Sequence, residues 1–290
     1  MTKGREESDG CEKPKSRRKT VLTALKNWMR GGKATTASKQ TRQLELFSET
    51  ADSPKGDVDE ADEGLPLPAT LAVPKSEDTK GQVALAMTME EVASYGNLMV
   101  AFGRVASNDG APGPDRQSIE EVAEHLGELV PALSRALLEG SYQPGNIRRV
   151  WIPKSGGGQR GLGIPNVVDR LVQQAVHQVL SPQYEPTFHG SSHGFRPGRS
   201  CHTAITEAKG YLEEGYEWVV DLDLERFFDR VHHQRLLSRL EQRVKDSRLI
   251  GLIRKMLKAK VVMPDGVVVS TEEGAPQGGP LSPLLSNIVL

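Results

Sequence analysis

Apolar residues recur at helical spacing through much of the chain. Over residues 89–106 (MEEVASYGNLMVAFGRVA) they return every three to four positions and predict a helix. Residues 118–140 open with Ser118 and, three positions on, Glu121, a capping-box pair. Val122, Leu126, Leu129, Val130, Leu133 and Leu137 then share one helical face. Residues 165–180 start at Pro165 and keep Val168, Leu171, Val172, Ala175, Val176 and Val179 on a face; two more helical stretches cover 232–243 and 246–259. RRVWIPKS (148–155) reads as a short strand followed by a GGGQ turn. YEWVVDLDLERFF (216–228) reads as a buried strand, WVVDL, that runs into a polar-aromatic bend. KVVMPDGVVVS (260–270) is a hairpin with Pro264, Asp265 and Gly266 as its turn. After the glycine- and proline-rich GAPQGGPLSP, Ser282 and Pro283 read as an N-cap and first helical residue. LLSNIVL then enters an apolar helix that simply stops, so the chain reads as truncated. Helices, strand, helix, strand, helices and hairpin, in that order, give an α+β fold without a fixed-period repeat.

The first 80 residues lack this periodicity and carry the Pro-spaced stretch LPLPATLAVPK (65–75). A net charge of −1 conceals their polarity: residues 1–42 hold 12 Lys/Arg against 4 Asp/Glu, and residues 43–80 hold 3 against 10. Residues 1–80 are therefore expected to be a disordered linker extension, with folding beginning near Thr88. A basic tail can hold nucleic acid through phosphates, or serve only as a solvated tail. Two cysteines, Cys11 and Cys201, exclude a disulfide framework, and Cys201 reads as a small packing residue. No apolar run reaches the ~18–20 residues of a membrane span, and the N-terminus lacks a signal-peptide core. The expected location is the cytoplasm, without membrane partners.

Chemistry concentrates in two places. Asp221 and Asp223 alternate onto one side of the expected strand, where carboxylates could hold Mg²⁺ or merely face water. Residues 141–210 hold 8 Lys/Arg against 3 Asp/Glu. Arg148, Arg149, Lys154 and Arg160 bracket the GGG turn, and Arg196 and Arg199 flank Pro197 and Gly198. Glycine-rich turns beside cations let backbone N–H groups and side chains approach phosphates together, which suits phosphoryl transfer on a nucleotide or nucleic acid. His177, His189, His193 and His202 do not form a zinc set; there is no P-loop, GxGxxG or G-x-S-x-G.

Four ordered blocks carry a resemblance: NDGAPGPD (108–115), RRVWIPKSGGGQRGLGIPNVVDRLVQQAV (148–176), FHGSSHGFRPGRSCHTAI (188–205), and VVDLDLERFFDRVHH (219–233) joined to GAPQGGPLSPLLSNIVL (274–290). Together they resemble the reverse transcriptase domain of group II intron-encoded reverse transcriptase/maturases. The resemblance implies a right-hand polymerase fold, with fingers over 88–215 and a partial palm over 216–290. It implies RNA-directed DNA synthesis with Mg²⁺ and, as partners, intron RNA template, a DNA primer or target, and deoxynucleoside triphosphates. It also implies a role in splicing the intron RNA.

Site residues follow by motif position. Asp223 matches the first catalytic carboxylate and would bind Mg²⁺ with the main-chain carbonyl of Leu224; Asp221 would be a supporting acid. Lys154 and Arg160 match the cations that hold the triphosphate. Phe228 would lie under the incoming sugar and exclude a 2′-hydroxyl, with Phe227 in the core. Gln277 would line the nucleotide pocket, and Arg196 and Arg199 would contact template backbone. Gly161 stands where the family usually has Pro, and His193 where it usually has an aromatic residue. The Y-x-D-D motif, which supplies the remaining metal carboxylates, does not occur before Leu290. The chain alone is therefore expected to be inactive. The competing readings are a non-catalytic intron-RNA-binding splicing cofactor and a degenerate remnant of a mobile element.

Overall fold

The computed structural model describes residues 86–154 and 157–290. The extension expected over 1–80 lies outside the described residues.

Folding begins where the apolar periodicity begins. Helix α1 (Met89–Ala93) is capped by Thr88, and Ser94 ends it and caps α2 (Tyr95–Ser107). The single helix expected over 89–106 is thus two, because Ser94 sits at φ −60, ψ 139 and spends its side chain on the Asn97 N–H. Ser118 and Glu121 form the expected capping box at α3 (Ile119–Glu124), which breaks at His125 before α4 (Leu126–Leu138). The central helix is α5 (Val167–Tyr184), which packs along α2 and touches α1, α3 and the C-terminal helix. Phe102, Leu98, Leu171 and Leu180 are fully buried in this seam. Truncating Phe102 to Ala there costs about 3–5 kcal/mol.

The sheet has four strands in the order β2-β1-β3-β4. β1 (Ile147–Pro153) pairs antiparallel with β2 (Gln159–Ile164) and parallel with β3 (Val261–Val262), which pairs with β4 (Val268–Val269). β2 is an element the apolar pattern does not announce, since Gly161 and Gly163 interrupt its alternation. The expected hairpin at 260–270 is present, with Met263 N–H donating to the Val267 carbonyl at 2.8 Å. After α5, helices α6 (Cys201–Glu213), α7 (His233–Arg243) and α8 (Ser247–Leu257) precede β3, and α9 (Ser282–Val289) follows β4. Helices and sheet together make the expected α+β fold.

Three expectations need correction. WVVDL is neither strand nor buried: residues 216–224 carry no regular secondary structure, with Trp218 93% and Leu222 87% exposed. A strand is held by ladder bonds and cross-strand side chains, and no described strand pairs with this one. Ser282 does not cap α9; its hydroxyl donates to the Pro276 carbonyl at 2.7 Å and so braces the preceding loop. Cys201 is exposed at the start of α6 rather than packed.

Candidate functional site

The residues that define the site are held by glycines, because only glycine lets backbones approach as closely as they do here. The loop after β4 crosses β2 at Gly163, whose N–H donates to the Gln277 carbonyl at 2.7 Å. A Cβ on Gly278 (φ +134) would stand 2.3 Å from the Gly163 carbonyl, and one on Gly279 would stand 2.2 Å from Gln173 Oε1. On its other side the loop is sewn to the bend that follows the acidic pair. Gly274 N–H donates to the Val231 carbonyl at 2.8 Å, and Ala275 N–H to the Phe228 carbonyl at 2.7 Å. The buried ring of His233 donates from Nε2 to the Gly274 carbonyl at 2.7 Å. Gln277, Phe228 and β2 therefore form one bonded assembly.

Phe228 sits between two strained positions. Its ring meets Phe195 edge-on at 6.3 Å and Phe227 at 6.0 Å. Phe195 (φ 56) and Arg226 (φ 51) both occupy the left-handed region, which costs a non-glycine residue about 1–3 kcal/mol and gathers at ligand sites. Phe227 is half-buried, not core. Arg160 lies three residues before Gly163 on β2, about 10 Å along the strand. It pairs across the hairpin with Ile152, and Lys154 N–H closes the turn onto the Gly158 carbonyl at 3.1 Å. Both cationic side chains are exposed.

Asp221 and Asp223 stand apart from this assembly. They lie in the exposed 216–224 segment and bond to none of the described residues. Among the described residues no three His, Cys, Asp or Glu side chains gather to hold a metal. Asp223 and the Leu224 carbonyl are hard oxygen donors of the type Mg²⁺ takes, but Mg²⁺ demands a near-octahedral set. The donors fit in kind and fall short in number.

Arg196 takes a task other than the template contact expected of it. Its side chain is 6% exposed. It donates to the Glu185 carboxylate at 2.8 Å and to the carbonyls of His189 at 2.7 Å and Ser192 at 2.8 Å. Its guanidinium also lies 5.4 Å from the Phe188 ring. It folds its own loop, and a strand could reach it only by breaking these bonds. Arg199 is partly exposed and donates to the Gly190 carbonyl. His193 locks the same loop to α6, with Nε2 2.8 Å from Glu207 and Nδ1 2.9 Å from the Thr203 hydroxyl. Hydrogen bonds from Ser191, His193 and Tyr211 hold the Glu207 carboxyl down at about 2.

The opening glycine block is also placed by close approach. Arg170 donates to the Ala111 carbonyl at 2.9 Å, and the Asn166 side chain accepts from Asp115 N–H at 3.3 Å. A Cβ on Gly110 or Gly113 would come within 2.3 Å of these two side chains. Asp169, beside them, is buried and accepts from the Tyr142 hydroxyl and from Gly145 N–H at 3.1 Å. Burial raises its carboxyl above the ordinary range and raises the Tyr142 phenol as well. The motif set points to the blocks; it does not point to Gln173, Asn166 or Asp169, for which the spacing of the facing glycines is the available signal.

Residues 152–290 match the family model described as reverse transcriptase (RNA-dependent DNA polymerase). Protein YkfC of Escherichia coli is 43% identical over 190 residues, 63% of this chain and 50% of that protein. The group II intron-encoded protein LtrA of Lactococcus lactis is 38% identical over 193 residues, 66% of this chain and 32% of LtrA. Over the matched residues the chain is similar to group II intron reverse transcriptases. A solved partial Cas6-RT-Cas1–Cas2 complex aligns with TM-score 0.48 and 24% identity, covering 69% of this chain and 33% of that one. The chain spans half or less of the length of the two relatives named. Among its described residues no helix is long and apolar enough to cross a membrane.

Proposed function

We propose that the chain is the fingers region (88–215) and part of the palm (216–290) of an RNA-directed DNA polymerase encoded by a group II intron. Its template is intron RNA, its primer a DNA end, and its substrates are deoxynucleoside triphosphates. The observation that carries this is the bonded assembly of β2, the Gln277 loop and Phe228 in a chain similar to that family. Lys154 and Arg160 hold the triphosphate at the tip of the hairpin by charge-assisted hydrogen bonds. Phe228 lies under the sugar and rejects a 2′-hydroxyl by contact, and Gln277 lines the base side of the pocket. Arg199, partly exposed and tied to the Gly190 carbonyl, meets template phosphate. Mg²⁺, when bound, supplies charge neutralisation at the phosphates, and Asp223 with the Leu224 carbonyl gives it a partial oxygen set. A cytoplasmic, nucleic-acid-associated location goes with this reading.

Binding of intron RNA in aid of splicing is the second activity, and one observation favours it for this chain by itself. Asp223 lies in an exposed segment, and among the described residues no three carboxylate, His or Cys side chains gather around it, an arrangement that leaves RNA binding unaffected. Two measurements test the pair. Filter binding should retain group II intron RNA over unrelated RNA of equal length as salt rises; equal and fully salt-labile affinities count against specific recognition. Crosslinking of a photoreactive deoxynucleoside triphosphate should label the chain and fall in Lys154→Ala and Arg160→Ala. Labelling that ignores both substitutions removes the nucleotide site.

A further inference from the structure

The turn that carries Gln277 is tied firmly at its ends and loosely in its middle. At one end Gly163 N–H reaches the Gln277 carbonyl at 2.7 Å, and Ala275 N–H reaches the Phe228 carbonyl at 2.7 Å. At the other, Leu281, Leu284 and Leu285 are buried and seat the start of α9. Between these anchors Gly279 N–H donates to the Pro276 carbonyl at 3.5 Å, and Ser282 N–H to the Gly279 carbonyl at 3.4 Å. Both exceed the roughly 2.7–3.2 Å of a good N–H···O bond. Yet Gly279 is buried, where an amide N–H needs a full acceptor. Pro280 follows it with no N–H to offer.

A better acceptor stands beside it. Gln173 projects from α5 and is 6% exposed, and its buried Oε1 accepts from no described residue. A Cβ on Gly279 would stand 2.2 Å from that Oε1 and 3.2 Å from the amide carbon, so the carboxamide lies directly against the Gly279 backbone. An acceptor without a donor is thus adjacent to a donor with a poor acceptor, and buried polar groups in that condition call for a partner. The Pro276 carbonyl can release the Gly279 N–H, because the Ser282 hydroxyl already donates to it at 2.7 Å. Changing acceptors therefore costs the turn little and completes a hydrogen bond. It also rotates the Gly279 peptide, and Gln277 lies only two residues before it. A ligand that fixes Gln277 and a bond that fixes Gly279 are coupled through that short span.

We propose that Gln173 is a positioning residue of the nucleotide pocket: on nucleotide binding the Gly279 N–H passes from the Pro276 carbonyl to Gln173 Oε1, which holds the Gln277 loop in place. The proposal rests on the nucleotide reading given above and adds to it a residue that touches no substrate. It also gives position 279 a reason to be glycine beyond packing, since any side chain there would stand in the path of the new bond.

The test uses the full chain with photoreactive azido-dATP and two readouts. The first is the nucleotide concentration that half-saturates crosslinking. Gln173→Met fills nearly the same volume and removes the acceptor, so it should melt at or above the parent temperature. It should raise the half-saturating concentration about five-fold, the scale of one net hydrogen bond. Gln173→Leu repeats the test with another apolar shape. The second readout is hydrogen exchange in chain labelled with 15N-glycine. Saturating nucleotide should slow the Gly279 amide at least five-fold in the parent and leave it unchanged in Gln173→Met. Gln173→Glu, which keeps an acceptor at the same reach, should restore the slowing. The Gly163 amide, bonded to the Gln277 carbonyl in either arrangement, should exchange alike in parent and Gln173→Met. Unchanged half-saturation in Gln173→Met, or equal slowing of Gly279 with and without the acceptor, overturns the proposal and leaves the nucleotide reading standing. So does a Gln173→Met chain that melts well below the parent and loses labelling in proportion, since that is a packing role. Parent labelling that ignores Lys154→Ala and Arg160→Ala removes the nucleotide site and this proposal with it.

Discussion

Replacing Asp169 by Ala should unfold this domain more easily than the loss of any single surface charge. The carboxylate is 5% exposed and accepts from the Tyr142 hydroxyl and from Gly145 N–H at 3.1 Å. Alanine leaves both donors without an acceptor in a site that admits little water, at about 1–3 kcal/mol each. Against this, the carboxylate itself is destabilised by burial, as the upward displacement of its pKa shows, so part of the loss is returned. The expected net cost is about 2–4 kcal/mol, or roughly 5–15 °C in the melting temperature of a domain this size. Urea titration followed by far-UV circular dichroism measures it, and the slope m should stay constant while the midpoint falls. Asp169→Asn keeps the shape and one acceptor but turns its amide towards Gly145 N–H, so it should lose about half as much. The pH arm has a definite sign. An acid whose folded pKa is raised contributes its stability fully below the unfolded value near 3.8 and loses it as pH rises through the folded value. The parent's advantage over Asp169→Asn should therefore be greatest at the acid end and shrink upward. A cost below about 0.5 kcal/mol for the alanine, or an advantage that grows with pH, would refute the reasoning.

Three further outcomes are expected. Gly279→Ala, whose Cβ would stand 2.2 Å from Gln173 Oε1, should cost about 1–3 kcal/mol by overpacking; Gln173→Ala in the same chain should recover part of it, and additive losses in a double-mutant cycle would show that the contact is not shared. Limited chymotrypsin digestion should cut first at Trp218, 93% exposed, while β1 and α5 stay intact; first cuts within α5 would mean that 216–224 is paired in solution. Glu207 is held near 2 by its hydrogen bonds, so the clamp between the 189–199 loop and α6 is present above about pH 4.5 and should loosen as pH falls towards 2; hydrogen exchange in residues 189–199 should show this in the parent, and Glu207→Gln should abolish the dependence.

Much of the frame was legible because local signals sufficed. The capping box at Ser118, the apolar face of α5 and the PDG turn each lie within a few residues of the element they specify. What stayed hidden depends on partners distant in the chain. β2 carries glycines at positions 161 and 163 because the Gln277 loop and the Arg149 and Trp151 side chains press against it, and those same glycines erase the alternation by which a strand is read. WVVDL has every mark of a buried strand, yet burial belongs to a pair of strands and no described segment supplies the second. Arg196 illustrates the limit for the site. A cation in a glycine turn can face solvent or its own loop with the same sequence around it, and only the Glu185 carboxylate and two carbonyls decide. Of the residues that the family blocks single out, Phe228, Gln277 and β2 are bonded into one assembly, whereas Asp223 bonds to none of it.

The single bond from Gly163 to Gln277 also imposes an order in time. Helices α1 to α5 and the β1–β2 hairpin find their partners within the first part of the folded region, at short sequence separation, and such contacts form early. The proposed nucleotide pocket closes only when position 277 has been synthesised and brought back across the sheet to position 163. During that interval the emerging chain has only part of its core and no closed assembly at Gly163, and the Gly163 amide, protected only after the loop returns, reports when it closes.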